Sequence, residues 1–438
     1  MRTGRILAAV LLLAGLVGIL VGAGEVYARL FYLGVLLGAV SWLWAQVSLR
    51  GLRVERRARS LRASVGDVFE EHFELSNNSG LGKLWVELFN ETNLQGSAGS
   101  RLLTMIGRKQ KRTYIARTWL TRRGGFRLGP TRLTSGDPFG LFRVEQVIPA
   151  QDSLVVLPMI YEIASFISPP GLLPGGQVIR RKALDVTPHA SGVREYVSGD
   201  PMKRIHWAST ARRGRLIVKE FEQDPQAEVW LFLDAQASAH VEMPYQPPSA
   251  SGDGWMFGHR PRFELPPSTL EYAISASASL AHYFLAQRRA VGLVTAGRTF
   301  TVIPAERSER QEGKILETLA FIEAESDLSI AGLLAAQAGQ LPQGSSAILV
   351  TPTVFPALLA AVDDLQRRSL RPVVVLLMAG SFGGRSGSES LYASLLERNT
   401  PVCRVYCGAD LAVELSSISA HITTQDTVWQ RPPLSHLI

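Results

Sequence analysis

Ile6 to Gly24 is a run of 19 residues without a charge, and Leu30 to Leu49 is 20 more. Each is long enough to cross a bilayer core of about 30 Å at about 1.5 Å per helical residue. Only Glu25 to Arg29 lies between them, too short a gap for a domain. The pattern therefore predicts a transmembrane helical hairpin within residues 1–50, with spans at 6–24 and 30–49. Tyr27, Phe31, Tyr32, Trp42 and Trp44 sit near the run ends, where amphipathic rings favour the membrane interface. Arg2 and Arg5 precede the first run. Arg50, Arg53, Arg56, Arg57, Arg59 and Arg62 follow the second. Positive flanks stay on the cytoplasmic side, so both termini and all soluble parts are expected at the cytoplasmic face of the inner membrane. A signal peptide over residues 1–24 is the rival reading. Its apolar core would exceed the usual length of about 7–15 residues, and a second span follows at once.

After residue 50 the period changes. Val68 to Leu75 alternates imperfectly and meets the turn signal Asn77-Asn78-Ser79-Gly80; Leu84 to Phe89 follows as another strand. Arg112 to Leu120 and Gly125 to Leu133 read as two more, with Gly124-Gly125 between them. Closely spaced strands without a long helical period predict an all-β, immunoglobulin-like sandwich over 51–160.

The second half reads differently. Val229 to Leu233 is a continuous apolar run, as in a strand buried on both faces. Residues 239–268 hold six Pro and three Gly and read as a long surface loop. A helix is expected over 269–289, strands at 291–295, 299–303, 347–351, 372–378 and 402–406, and helices near 309–323, 356–369 and 388–398. Strand–helix alternation predicts a doubly wound, largely parallel sheet over 228–438.

Charge sharpens the division. Up to residue 228 there are 31 Lys or Arg and 19 Asp or Glu, whereas the remainder holds 15 and 19. The basic half lies beside the predicted membrane, where anionic lipid headgroups attract arginines by about 1 kcal/mol each. Residues 101–127 hold nine Lys or Arg and no acid, interleaved with Tyr114, Trp119 and Phe126. That segment admits a nucleic-acid surface, but a basic outer sheet face beside an anionic bilayer is preferred, and no nucleic-acid partner is expected. Two cysteines, Cys403 and Cys407, exclude a disulfide framework and a conventional zinc site. No Walker-type phosphate loop, Gly-x-Ser-x-Gly elbow or His-Glu-x-x-His motif occurs.

Residues 161–227 join the two regions and carry the most specific signal. Arg194, Tyr196, Gly199, Asp200, Arg204, Ile205 and Trp207, then Ala211-Arg212, then Leu216, Val218 and Lys219 follow the form R-x-Y-x-x-G-D-x-x-R-x-I-x-W … A-R … L-x-V-K. This pattern resembles the domain-of-unknown-function 58 family, as does Asp137-Pro138-Phe139-Gly140-Leu141-Phe142. The resemblance implies a membrane-anchored layout covering nearly the whole chain. It also implies association with a MoxR-type AAA+ ATPase and a transglutaminase-like membrane protein. Physically, Arg194, Arg204 and Arg212 are suited to fork onto carboxylates, making the motif a clamp or docking surface. The enzymatic alternative pairs Asp200 with His206 as acid and base, although nothing in the sequence places a nucleophile beside them.

Asp234-Ala235-Gln236-Ala237-Ser238 follows the first strand of the α/β region. It resembles the D-x-S-x-S start of the metal site in von Willebrand factor A domains, with Gln236 in place of the middle serine. The resemblance implies Mg²⁺ held by Asp234, Ser238 and a later threonine, Thr351 or Thr295. Mg²⁺ prefers oxygen ligands, and its protein sites usually supply one or two carboxylates. The bland alternative is an aspartate capping the turn after a strand. The expectation is a cytoplasm-facing, non-enzymatic membrane adaptor with a von Willebrand factor A-like domain. A hydrolase using Asp200 and His206, or a nucleic-acid binder through 101–127, are the alternatives.

Overall fold

Alternating positions in the first half and unbroken apolar runs in the second build two different kinds of sheet. The computed structural model describes residues 2–22, 24–97, 99–149, 152–167, 190–197, 202, 205–221, 228–246 and 263–426. The chain divides into two units. One is Met1–Met159 with Pro244–Pro266 and Leu316–Phe321; the other is Ile160–Met243, Pro267–Ile315 and Ile322–Ile438.

The first unit opens with α1 (Arg2–Leu20) and α2 (Glu25–Ser48), packed side by side. The expected gap at 25–29 is corrected. Glu25 to Arg29 is the first turn of α2, where Arg29 donates to Glu25 at 3.0 Å with the i,i+4 spacing a helix favours. The reversal falls instead on residues 21–24, where Gly22 (φ +70°) and Gly24 (φ +104°) take backbone angles that side chains resist. By length and composition α2 is able to cross a membrane; the apolar part of α1, Gly4–Leu20, is shorter.

Ten strands follow: β1 (Leu52–Ala58), β2 (Arg62–Ser64), β3 (Val68–Asn77), β4 (Lys83–Asn90), β5 (Arg101–Ile106), β6 (Lys111–Trp119), β7 (Gly124–Leu128), β8 (Thr131–Gly136), β9 (Arg143–Ile148) and β10 (Asp152–Leu157). They form sheets ordered β1-β3-β6, β5-β4-β8-β9 and β2-β10-β7. Leu52, Phe73, Leu75, Tyr114 and Ala116 of the first sheet share one core with Val86, Leu88, Ile106 and Leu133 of the second, a sandwich-like arrangement. The single strand expected over 125–133 is two, β7 and β8. Pro130 between them has no N–H to donate to a ladder. The imperfect alternation of β3 has a simple cause. Phe69, Phe73 and Leu75 point inward, and Glu71 occupies the same inward register.

In the second unit, β11 (Ala190–Glu195) and β12 (Ile217–Phe221) pair antiparallel, with the short helix α3 (Trp207–Arg213) between them in sequence. The main sheet has six strands: β13 (Val229–Leu233), β14 (Val291–Ala296), β15 (Phe300–Glu306), β16 (Ser346–Thr351), β17 (Arg371–Leu377) and β18 (Val402–Val405). Their order is β15-β14-β13-β16-β17-β18, parallel except for the β14–β15 hairpin at one edge. The helices are α4 (Thr269–Ala286), α5 (Glu309–Ala320), α6 (Ile330–Gln337), α7 (Ala357–Arg367), α8 (Ser388–Glu397) and α9 (Leu411–Asp426). Trp230, Phe232, Leu349 and Leu376 on one sheet face pack against Leu333 and Leu334 of α6, Leu358 and Val362 of α7 and Leu395 of α8. Every residue of β13, β14 and β16 is buried, as a sheet sandwiched between helices requires.

Candidate functional site

The strand order reverses direction between β13 and β16. From β13 the chain goes outward to β14 and β15, then returns to β16 and proceeds through β17 and β18 on the other side. Such a switch point leaves a crevice at the carboxyl ends of the two strands. Leu233 pairs with Val350, so the next residues, Asp234 and Thr351, stand side by side at that crevice. The Thr351 hydroxyl donates to Asp234 Oδ2 at 2.6 Å, and the Gln236 amide N–H donates to Oδ1 at 3.0 Å. Thr351 Oγ1 in turn accepts from the Thr353 N–H at 3.0 Å. His240 Nε2 lies 2.9 Å from the Asp234 carbonyl oxygen, which only accepts, so this nitrogen carries the proton. Asp234 is 1% exposed. Burial pushes its carboxyl above the usual range, against the lowering pull of the Thr351 hydroxyl, His240 and the Gln236 amide.

Residues that follow this pair in the chain line a pocket of about 350 Å³. Ser238, Thr353, Val354, Phe355 and Arg385 are among its lining residues. The Arg385 guanidinium sits 5.7 Å from the centre of the Phe355 ring, and both side chains are exposed. Among the described residues no carboxylate pairs with Arg385. Arg385 lies in the Gly/Ser-rich stretch 380–387, where no sequence motif marks it.

Each Asp234 oxygen already accepts one hydrogen bond from the protein, so a resident Mg²⁺ would have to share the carboxylate with these donors or displace them. The Gln236 side chain reaches away, its Nε2 lying 3.5 Å from the Asp327 carbonyl. Thr295, opposite Leu233 on β14, is fully buried and is not bonded to Asp234. Among the described residues no group of three His, Cys, Asp or Glu is placed to hold a metal ion. Asp234, Thr351 and Ser238 are thus brought to one edge, but the first two are bonded to each other.

The motif residues fall partly outside the described residues: Gly199, Asp200 and Arg204 lie there. Arg194 is on β11 and Lys219 on β12, where Arg194 pairs with Val218. The Tyr196 N–H donates to the Leu216 carbonyl at 2.9 Å, and the His206 N–H to Ile217 at 2.8 Å. Ile205 is buried. His206 Nδ1 accepts from the Ser209 N–H at 3.2 Å and lies 2.7 Å from the Ser209 hydroxyl, capping the start of α3. Trp207 is 66% exposed, and Arg212 is exposed on the same short helix.

In the first unit two residues of the basic segment are ion-paired. Lys111 donates to Glu74 at 2.6 Å and Arg117 to Glu70 at 2.7 Å. These partners hold both glutamates below the usual carboxylate range. Tyr114 is buried and stacked on Phe73 at 5.0 Å, and Phe126 is buried. The aromatic faces a nucleotide base would stack on are occupied there. Burial pushes the Cys403 thiol up to about 12 and also raises Cys407, so neither is primed as a nucleophile.

Comparison with known proteins agrees with the motif. Residues 192–244 match the family described as "Protein of unknown function DUF58". An uncharacterized protein of Bacillus subtilis (strain 168), YeaD, is 24% identical over 235 residues, 52% of this chain. The chain spans about half the length of that relative, 50%. This chain carries the DUF58 family segment, as its Arg194–Lys219 pattern foretold. Among solved structures, a CARDB domain from Pyrococcus furiosus in complex with di-metal ions aligns with 24% of this chain and 91% of its own, at 14% identity and a TM-score of 0.17. A GH20 exo-β-N-acetylglucosaminidase from Vibrio harveyi aligns with 87% and 72%, at 8% identity and a TM-score of 0.17. Likenesses this weak carry no argument about fold or function.

Proposed function

We propose that this chain is a membrane-anchored adaptor that works through protein–protein contacts at the carboxyl edge of a von Willebrand factor A-like sheet. In this reading α1 and α2 form a spanning hairpin with the soluble parts in the cytoplasm. The first soluble unit is an immunoglobulin-like sandwich, and the partner is a MoxR-type AAA+ ATPase, accompanied by a transglutaminase-like membrane protein. The observation that carries the reading is the switch-point edge. Its buried aspartate is bonded to Thr351 instead of being free for chemistry, and an exposed Arg385–Phe355 pair rims an open pocket beside it. A flat-sided aromatic with a stacked arginine is the composition of a protein-binding hot spot. Exposed Trp207 and Arg212 on the motif helix are suited to the same role. A catalytic reading lacks comparable support, because His206 spends its Nδ1 on capping α3.

Crosslinked capture of the full chain from native membranes tests this reading. The wild-type chain is expected to recover an AAA+ ATPase, and Arg385→Glu or Trp207→Ala to reduce the recovery. Undiminished capture by both variants would remove the proposed surfaces, and no ATPase with any variant would sink the adaptor reading.

A further inference from the structure

The family-like segment Asp137 to Phe142 belongs to the first unit, and its chemistry is not that of a buried loop. Asp137 is 1% exposed and holds the loop in shape: its carboxylate accepts the Phe139 N–H at 2.9 Å and the Phe142 N–H at 2.6 Å. Leu141 turns inward, but Phe139 is 54% exposed and Phe142 36%. The loop also touches the start of the helical hairpin. Arg5 Nε donates to the Leu141 carbonyl at 2.9 Å. Gly4 passes so close that an added Cβ would lie 2.5 Å from the Phe139 carbonyl oxygen. The other end of the hairpin is tied down as well. Lys83, 3% exposed, donates to the Val47 carbonyl at 2.8 Å, placing a cation at the negative end of α2.

The geometry points to a lipid-facing wedge: the Asp137–Phe142 loop inserts Phe139 and Phe142 into the headgroup–acyl boundary of the membrane that holds α2. The inference rests on the reading that α2 spans a bilayer. Its occupant is fixed by continuity, since the loop is bonded to the first turn of a hairpin whose helix ends lie at the interface. Exposed apolar rings on a membrane-surface element bury into the headgroup–acyl boundary, and a loop pinned by a buried aspartate spends little conformational freedom on inserting them.

The test uses the full chain in phosphatidylcholine–phosphatidylglycerol vesicles. In a Cys407→Ser background, Phe139→Cys, Phe142→Cys, Trp42→Cys and Glu397→Cys each carry an environment-sensitive fluorophore. Buried Cys403 stays unlabelled. Lipids bear a nitroxide either near the headgroup or deep in the acyl chain. The expected result is strong quenching at 139 and 142 by the shallow nitroxide, weaker quenching by the deep one, quenching at 42, and none at 397. Quenching at 42 with none at 139 and 142 overturns the wedge and leaves the anchor standing. No quenching at 42 either removes the anchor and the wedge together. Equal quenching at 397 overturns the wedge, because an exposed site on the other unit would then report lipid too.

Discussion

Glu71 in the first unit and Asp234 in the second are both buried carboxylates, and their surroundings meet them in opposite ways. Glu71 of β3 is buried because the strand's period of two points it into the sandwich core. Neither of its oxygens has a hydrogen-bond partner; the nearest help is Arg56 Nε at 3.7 Å. Asp234 is buried because it ends the central strand of a sheet covered on both faces, and both its oxygens are hydrogen-bonded. Burial is the largest cause of a raised pKa at each site, with Arg56 opposing it at Glu71 and Thr351 opposing it at Asp234. At Glu71 a cation stands off an unbonded carboxylate, whereas at Asp234 neutral donors bond the carboxylate directly.

The largest effect should come from the packing that forces this difference. Phe232→Ala is expected to cost about 3–5 kcal/mol, because the ring is fully buried between sheet and helices. His72→Ala on the outward register of β3 should change almost nothing. Hydrogen exchange at β13 and β3 in detergent-solubilised protein measures both. Equal loss in the two strands would break the distinction between one-sided and two-sided sheets.

Next comes the hydroxyl. Thr351→Val leaves Asp234 without its closest donor and is expected to cost about 1–3 kcal/mol. Asp234→Asn can keep its oxygen on the Gln236 N–H and donate its amide to the Thr351 hydroxyl oxygen, which reverses that bond, and should cost less. Denaturant titrations of the two variants read the order, and a costlier Asp234→Asn would show that the carboxylate's charge matters.

The pH dependence follows. Folding raises both carboxyls above their ordinary values of 4.5 and 3.8, so the native state binds their protons more tightly. Their favourable contribution is complete below those values and is lost as pH climbs through the raised native values. Glu71→Gln and Asp234→Asn should each flatten the decline in stability above about pH 4. A decline of unchanged slope in the Glu71→Gln protein would mean that Arg56 holds that carboxylate ionised after all.

The smallest effect is expected at the sandwich surface. Lys111→Ala removes an exposed ion pair with Glu74 and should leave the thermal midpoint within error, since such pairs are screened.

Much of this was readable in advance wherever one local rule decided the outcome. Apolar runs with no charge gave the helices, and unbroken apolar strands gave the parallel sheet. Errors came where two rules competed. Glu25 and Arg29 looked like a polar gap, yet their spacing suits a helix and they pair along it. Gly125 to Leu133 looked like one strand until Pro130 denied it a donor. Asp234 and Thr351 stand together at the strand ends, where the Thr351 hydroxyl and the Gln236 amide each bond one carboxylate oxygen, a pairing no local pattern announces. Arg385 carried no signal, because nothing local marks one arginine in a flexible-looking loop as the rim of a distant strand's pocket.

By itself the sequence determined where the long apolar elements lie, how the charge divides, and which family segment the chain carries, because those follow from neighbours a few residues apart. Only the tertiary structure decided that Asp234 meets Thr351 across 117 positions of chain, and that Arg5 is bonded to the loop at Leu141 across 136. Strand order and close packing bring such partners together, and neither is written in any local pattern.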